Sequence, residues 1–97
     1  MYRILLTPNA QEDLHWFRNA DQQLIVDALK EQLMYEPLSV TRNRKPLRSN
    51  PLAPWVVRIG KYRVFYDVDP DEATVTIRAI GHKEHNELHL RGRRVPL

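Results

Sequence analysis

The segment from Trp55 to Tyr66, WVVRIGKYRVFY, constrains the fold more than any other feature, because it has the pattern of a β-hairpin. A two-residue loop at Gly60-Lys61 pairs apolar residues across the strands: Ile59 with Tyr62, Val57 with Val64 and Trp55 with Tyr66. One face of this hairpin is therefore wholly apolar, and another part of the chain must cover it.

The same pairing places Arg58 directly opposite Arg63 on the other face of the hairpin. Like charges that face each other across two strands destabilise a sheet. An anion between the two guanidinium groups removes this conflict, since arginine binds phosphate through two parallel hydrogen bonds. The hairpin thus predicts a sheet face that binds phosphate.

Length and composition predict one domain over 1–97, because 97 residues with 42% apolar content suffice for a small core. The absence of cysteine excludes disulfides and thiol chemistry. The N-terminal apolar run ends at Thr7-Pro8 and is too short for a signal peptide. No segment has the length to span a membrane, so we expect a cytoplasmic protein with no membrane partner.

The net charge is only +3, but the charges are unevenly distributed. Acidic residues dominate 12–36, whereas basic residues form three later clusters: Arg42, Arg44, Lys45 and Arg48; Arg58, Lys61 and Arg63; and Arg91, Arg93 and Arg94. This asymmetry predicts an acidic helical half and a basic half whose partner is a polyanion or an acidic protein.

Hydrophobic periodicity predicts the order strand, helix, helix, strand, strand, strand. Thr7 is suited to cap the first helix, Pro8 to begin it and Asp21 to cap the second. The predicted elements are a strand at 2–6, helices at 8–18 and 22–35, an ordered loop at 37–54 and strands at 55–60, 62–68 and 73–81. We expect the polar tail, 82–97, to form a short helix around 84–90 and then a loose end.

These elements predict an α+β fold in which two N-terminal helices pack on one face of a small, mainly antiparallel four-stranded sheet (β-α-α-β-β-β). A turn at 69–72 predicts a second register between the last two strands: Tyr66 with Val75, Val64 with Ile77 and Arg63 with Arg78. The face away from the helices then stays open. It is expected to present Val56, Arg58, Arg63, Phe65, Thr76, Arg78, Ile80 and His82, with Ala79 on the helix side.

Arginines beside an aromatic ring suit RNA, because guanidinium groups bind phosphate and rings stack on unpaired bases. The candidate RNA-binding residues are Arg78, His82, Phe65, Lys61, Arg44 and Lys45. The alternative is a solvated sheet face with scattered cations, and composition favours neither.

The tail holds three histidines within eight residues, His82, His85 and His89. On a helix His85 and His89 would share one face, as metal ligands can, but no cysteine or evident carboxylate completes the set. The sequence therefore predicts no metal and no cofactor. Acid–base chemistry and plain surface exposure are the other two interpretations.

The string from Trp55 to Val68, together with Ile80-Gly81-His82-Lys83 and the order of elements, resembles the RelE/ParE superfamily of bacterial toxins. The resemblance covers nearly the whole chain. It implies either a RelE-like endoribonuclease that cuts mRNA in the ribosomal A site or a ParE-like inhibitor of DNA gyrase. In both branches it implies a cognate antitoxin and a toxin–antitoxin hetero-oligomer that binds operator DNA through the antitoxin.

For the RelE branch the resemblance implies four catalytic residues: Arg58, Arg63, Lys83 and His89. The three cations would stabilise the phosphorane formed when a ribose 2′-hydroxyl attacks the phosphate, and His89 would transfer a proton. Val56 replaces a strand lysine of RelE and Lys83 a catalytic arginine, so one cation and one bidentate fork are missing. Arg78 is expected to compensate in part, and His82 is a second candidate for the proton-transfer role.

The arginine row and His89 favour the nuclease over the gyrase inhibitor. Val56 and Lys83 keep open a third interpretation, a degenerate family member that binds only its antitoxin and DNA.

Overall fold

A computed structural model describes all residues from Met1 to Leu97 and contains two helices and one seven-stranded sheet. The strands are β1 (Arg3–Leu6), β2 (Arg44–Pro46), β3 (Trp55–Ile59), β4 (Tyr62–Asp69), β5 (Thr74–Glu84), β6 (Glu87–Leu90) and β7 (Arg93–Arg94). The helices are α1 (Pro8–Trp16) and α2 (Asn19–Leu33). The predicted α+β class is confirmed. Neither helix is both long enough and apolar enough to cross a lipid bilayer.

The sheet is antiparallel in the order β2-β3-β4-β5-β6-β7, and β1 alone pairs in parallel. Both β1 and β6 lie on the edge of β5 that faces away from β4, because β1 pairs with its first half and β6 with its last residues. A gap separates them, between the pairs Leu6–Ile77 and His82–His89.

The first helix begins as predicted, because the Thr7 hydroxyl accepts a hydrogen bond from the backbone N–H of Ala10 at 3.1 Å and Pro8 follows. The prediction that Asp21 caps the second helix is wrong. The chain is extended only as far as Arg18, so α2 begins at Asn19 and Asp21 lies in its first turn. There its carboxylate faces the positive end of the helix dipole.

Both helices pack on one side of the sheet, which we call the helix face. The core between them joins Ala10, Phe17, Ile25, Leu29 and Leu33 to Val57, Ile59, Tyr62, Val64, Tyr66, Val75, Ile77 and Ile80 of the sheet. The buried Tyr66 hydroxyl donates to the carbonyl of Pro37 at 2.7 Å and so ties the loop after α2 to this core. The apolar face of the hairpin is thus covered as predicted.

The predicted pairing of β3 with β4 is confirmed at every position, including Arg58 opposite Arg63. The predicted pairing of β4 with β5 is wrong. The turn lies one residue later, so that Asp69 pairs with Thr74, and the register shifts again between Phe65 and Tyr66. Three consequences follow: Arg63 faces Gly81 instead of Arg78, Ile80 joins the helix-face core, and Ala79 lies on the open face.

The tail forms two further strands, β6 and β7, so the expected helix at 84–90 and the loose end are wrong. Each hairpin turn has two central residues with positive φ, His85-Asn86 and Arg91-Gly92. This geometry is that of a type I′ turn, which matches the twist of paired strands. Asparagine and glycine tolerate it well, and they hold the tail against the sheet.

Candidate functional site

The open face carries a small apolar cluster of its own, which forms the floor of a groove. The cluster contains Ala53, Val56, Phe65, Ala79 and Leu88, partly covered by Leu47, Leu52, Leu90 and Val95. Phe65 is only 2% exposed. Its ring lies in the groove floor but is packed against the protein, so little of it is accessible for the predicted stacking on RNA bases.

Above this floor lies a groove of about 540 Å³ in which cations from five parts of the chain converge. Its charged lining consists of Arg42, Lys45, Arg58, Arg63, Lys83, Arg94 and a single acidic residue, Glu87. The Glu87 carboxylate lies 3.1 Å from Nε of Arg94, so that pair is neutral. The other five cations have no carboxylate within 4.0 Å.

Arg58 and Arg63 form the centre of the groove, where the hairpin register places them side by side. Nη1 of Arg63 donates to the carbonyls of Gly60 and Tyr62 at 2.8 and 2.9 Å, and Nη2 of Arg58 to Oδ1 of Asn43 at 3.4 Å. Burial, and then the Arg58 charge, hold the pKa of Arg63 below its usual value. Two adjacent cations without a counter-charge favour an anion at this point.

Lys45 and Lys83 reach the same groove from opposite ends of the sheet. Lys45 of β2 pairs with Val56 of β3, and Lys83 of β5 pairs with Leu88 of β6. Because Val56 and Leu88 belong to the apolar floor, both lysines lie on that face of the sheet. The structure therefore brings together five of the predicted residues: Arg58, Arg63, Lys83, Lys45 and, in the floor, Phe65.

Arg44 does not reach the groove, although its neighbour Lys45 does. Its side chain turns to the helix face, is 9% exposed and donates to the carbonyls of Ser39 and Gln32. Because Gln32 lies in the last turn of α2, this guanidinium compensates the carbonyl end of the helix. Its predicted role in RNA binding is wrong, since these donors are occupied within the fold.

Two further predicted RNA contacts lie outside the groove. Arg78 has no partner on β4 where the register shifts, and its Nη2 lies 3.5 Å from the Asp67 carboxylate. It therefore cannot compensate for Val56 beside Arg58. Lys61 occupies the tip of the hairpin, where its Nζ lies 5.5 Å from the centre of the Tyr62 ring.

His82 and His89 lie on the helix face, so the expected place of His82 on the open face is wrong. The register shift places His82 across from Tyr62, and its ring lies between Trp16 and His89, at 5.7 and 5.4 Å. His89 pairs directly with His82 and is not among the groove residues. The structure therefore does not place His89 in the groove with Arg58, Arg63 and Lys83.

A buried carboxylate, Asp13 of α1, closes the gap in the edge of β5. Its Oδ2 accepts from the backbone N–H of Ile80 at 2.9 Å, and its Oδ1 lies 2.9 Å from Nε of Arg91 in the last turn. Burial raises the pKa of Asp13, whereas the Ile80 N–H and Arg91 lower it in part. Asp13 thus attaches the tail to α1.

Sequence patterns predict no role for Asp13 and do not place Arg42, Asn43 or Arg94 in a site. Arg42 and Arg94 belong to the first and third basic clusters, and that clustering was the available signal. The tail hairpins bring the two clusters to one groove, and those hairpins were not predicted.

Comparison with known proteins gives one consistent result. Residues 4–87 match the family described as the ParE toxin of the type II toxin–antitoxin system parDE. Toxin RelG of Mycobacterium tuberculosis (strain ATCC 25618 / H37Rv) is 32% identical over 82 residues, 84% of this chain and 91% of that protein.

Two solved structures have the same fold. A chain of the toxin–antitoxin complex RelBE2 from Mycobacterium tuberculosis superposes with a TM-score of 0.74 at 32% identity, covering 84% of this chain and 91% of that one. A chain of the archaeal RelE–RelB complex from Pyrococcus horikoshii OT3 gives a TM-score of 0.59 at 23% identity, with 95% and 97% covered. At 23% identity the second likeness concerns the fold alone.

Proposed function

The chain belongs to the RelE/ParE superfamily of type II toxin–antitoxin toxins, and from this premise we propose that it is a cytoplasmic, RelE-like endoribonuclease. Its substrate is mRNA, which it binds along the open-face groove and cleaves, on the ribosome, without a metal ion. RelG and the RelBE2 toxin support the RelE branch because each is 32% identical to this chain.

The observation that carries the proposal is the cluster of five cations without a carboxylate partner, with Arg58 and Arg63 at its centre. RNA phosphates are the ligand that such a lining suits best, because each phosphate adds a negative charge and acceptors for bidentate arginine. The apolar floor excludes water from beneath the phosphate and thereby strengthens these contacts.

In the proposed reaction the ribose 2′-hydroxyl releases its proton to water, and its oxygen attacks the neighbouring phosphorus while the bond from phosphorus to the 5′-oxygen breaks. The products are a 2′,3′-cyclic phosphate and a 5′-hydroxyl end. Arg58, Arg63 and Lys83 stabilise the extra charge on the phosphorane. Removing one preorganised donor of this kind typically costs about 10²–10³-fold in rate.

The departing 5′-oxygen needs a proton, and no histidine lines the groove. We assign this step to Lys83 or Lys45, since arginine keeps its proton at any accessible pH whereas an ammonium group can release one. His89 is not part of this mechanism.

The proposed partners are mRNA, the ribosome and a cognate antitoxin. RelBE2 and RelE–RelB are themselves toxin–antitoxin complexes. We propose a hetero-oligomer of the same kind for this chain, one that binds operator DNA through the antitoxin.

The decisive experiment induces the full chain in cells and maps mRNA ends on translating ribosomes. We expect new ends at fixed codon positions that disappear for Arg63→Ala, although this variant still binds the antitoxin. Cleavage is also expected to persist in EDTA. Intact mRNA during growth arrest would refute the nuclease.

Inhibition of DNA gyrase is the second candidate function, favoured by the match of residues 4–87 to the ParE family. It needs no proton carrier in the groove. Accumulation of stalled gyrase–DNA complexes with unbroken mRNA would establish it instead.

A further inference from the structure

Three metal-binding side chains meet on the helix face, on the other side of the sheet from the groove. They are His82, Glu84 and His89, whose donor atoms all lie within 4.8 Å of one another. The sequence alone predicts no metal here, because helical spacing offers His85 and His89 without a carboxylate. In the β5–β6 hairpin, the neighbours of His89 are His82 and Glu84 instead of His85.

Strand geometry explains why the three side chains converge. His82 and Glu84 are two residues apart on β5 and so share a face. His89 is the direct cross-strand partner of His82 on β6. Directly paired side chains stand about 4.5–5.5 Å apart at Cβ, a separation that one metal ion can bridge.

The available atoms fit a small divalent cation. Nε2 of His82 lies 3.6 Å from Oε2 of Glu84, close to the ~3.3 Å between ligands of a tetrahedral zinc ion with ~2.0 Å bonds. Nδ1 of His82 is enclosed, and Nδ1 of His89 lies 3.2 Å from the Glu87 carbonyl. Nε2 is thus the free nitrogen of both rings.

We propose that His82, Glu84 and His89 bind a divalent transition-metal ion, zinc in the first place, with water as a fourth ligand. Two histidines and one glutamate are a known protein ligand set for zinc. The rings now lie nearly parallel, at 22°. Because a metal lies in the plane of each imidazole it binds, binding turns the half-buried His89 ring while Trp16 holds His82 in place.

The bound ion links β5 to β6 beside the turn that carries Asn86 and therefore stiffens the tail that walls one end of the groove. Its role is to stabilise the tail and does not involve the reaction. The proposal therefore stands or falls independently of RNA cleavage.

The test uses the tag-free full chain, stripped with EDTA and titrated with Zn²⁺ by calorimetry, and with Co²⁺ as a spectroscopic probe. We expect one ion per chain and a visible Co²⁺ band of tetrahedral type. Zinc at 100 times its dissociation constant should raise the melting temperature by on the order of 10 °C.

Matched variants identify the ligands. Glu84→Gln and His89→Gln should each weaken zinc binding at least about tenfold, whereas His85→Gln, in the adjoining turn, should not change it. Glu84 is the safest probe, because its side chain is 59% exposed and its loss leaves the core intact. Binding that His85→Gln weakens as much as Glu84→Gln, or the absence of a stoichiometric complex, would overturn the proposal.

Discussion

The two faces of the sheet treat polar groups in opposite ways. On the helix face Asp13 contacts Ile80 and Arg91, Arg44 donates to two carbonyls, and Tyr66 donates to a third. In the groove on the open face, Arg58 and Arg63 have no carboxylate partner and face each other.

This difference separates residues that serve folding from residues that are available to a ligand. A buried polar group must be paired, because leaving it unsatisfied costs about 1–3 kcal/mol. An unpaired cation at the surface keeps its water and costs little until a ligand replaces that water. Substitutions on the helix face should therefore lower stability, whereas those in the groove should lower activity.

The largest effect is expected from the double variant Arg58→Ala/Arg63→Ala. RNA cleavage should fall on the order of 10³-fold or more, since two phosphorane contacts are lost. The free energy of unfolding should stay the same or rise slightly, because a like-charge pair is removed. Single-turnover cleavage and urea denaturation measure the two effects.

The matched control is Lys30→Ala, which removes an exposed cation from α2 on the other side of the molecule. It should leave cleavage unchanged. An equal loss of cleavage in both variants would mean that net charge, and not the groove, binds the RNA.

The second largest effect is expected from Asp13→Ala, at about 2–3 kcal/mol of unfolding free energy. The substitution leaves the Ile80 N–H without an acceptor and Arg91 without its buried partner. Urea denaturation should show the loss, with Glu31→Ala, an exposed acid on α2, as a control near zero. If the two variants are equally stable, Asp13 does not anchor the tail.

The same carboxyl predicts a pH dependence. Burial raises the pKa of Asp13 in the folded state above its ordinary value of 3.8, so the folded chain binds this proton more tightly than the unfolded chain. The part of its contribution to stability that depends on this proton is therefore fully present below pH 3.8 and is lost as the pH rises through the folded-state pKa. Asp13→Asn should abolish this part of the pH profile; parallel profiles would contradict the assignment.

An intermediate effect should distinguish two neighbours on β2. Arg44→Ala should cost about 2 kcal/mol of stability, because the carbonyls of Gln32, in the last turn of α2, and of Ser39, in the following loop, lose their donor. Lys45→Ala should leave stability within about 0.5 kcal/mol but lower the salt dependence of RNA affinity by roughly one phosphate contact. A stability loss in Lys45→Ala and a change of RNA affinity in Arg44→Ala would contradict the assignment of Arg44 to the helix face and of Lys45 to the groove.

The smallest effect is expected from His89→Ala. Because His89 lies on the helix face, cleavage should change far less than the 10²–10⁴-fold typical of a lost proton-transfer group. The same cleavage assay measures it. A loss within that range would place His89 in the reaction after all, through a movement of the tail.

The β3–β4 hairpin could be predicted in full, because strict alternation and Gly60, with φ of 57°, leave one register that buries the apolar residues. That register was enough to find Arg58 and Arg63. The β4–β5 register could not be predicted, because a shift between Phe65 and Tyr66 leaves no mark on either sequence pattern. Because of this shift, the predicted faces of the later β5 residues Ala79, Ile80 and His82 were wrong.

The prediction of a helix in the tail failed for a different reason. His85 and His89 have helical spacing, whereas Asn86 and Gly92 mark turns, and the turn residues carried the correct signal. Arg44 and Lys45 show a third limit. Their charges alone do not show that Arg44 compensates the end of a helix whereas Lys45 lines the groove.

The parallel strand β1 has a consequence for how this protein is made. Its residues 3–6 pair with 74–77, so the first strand to leave the ribosome waits for a partner about 70 residues later. Ile80, whose N–H donates to Asp13, is synthesised later still, as is the tail that lines one end of the groove. A nascent chain therefore has its two helices long before it has a complete groove, and an incompletely translated copy should be harmless to the cell that makes it.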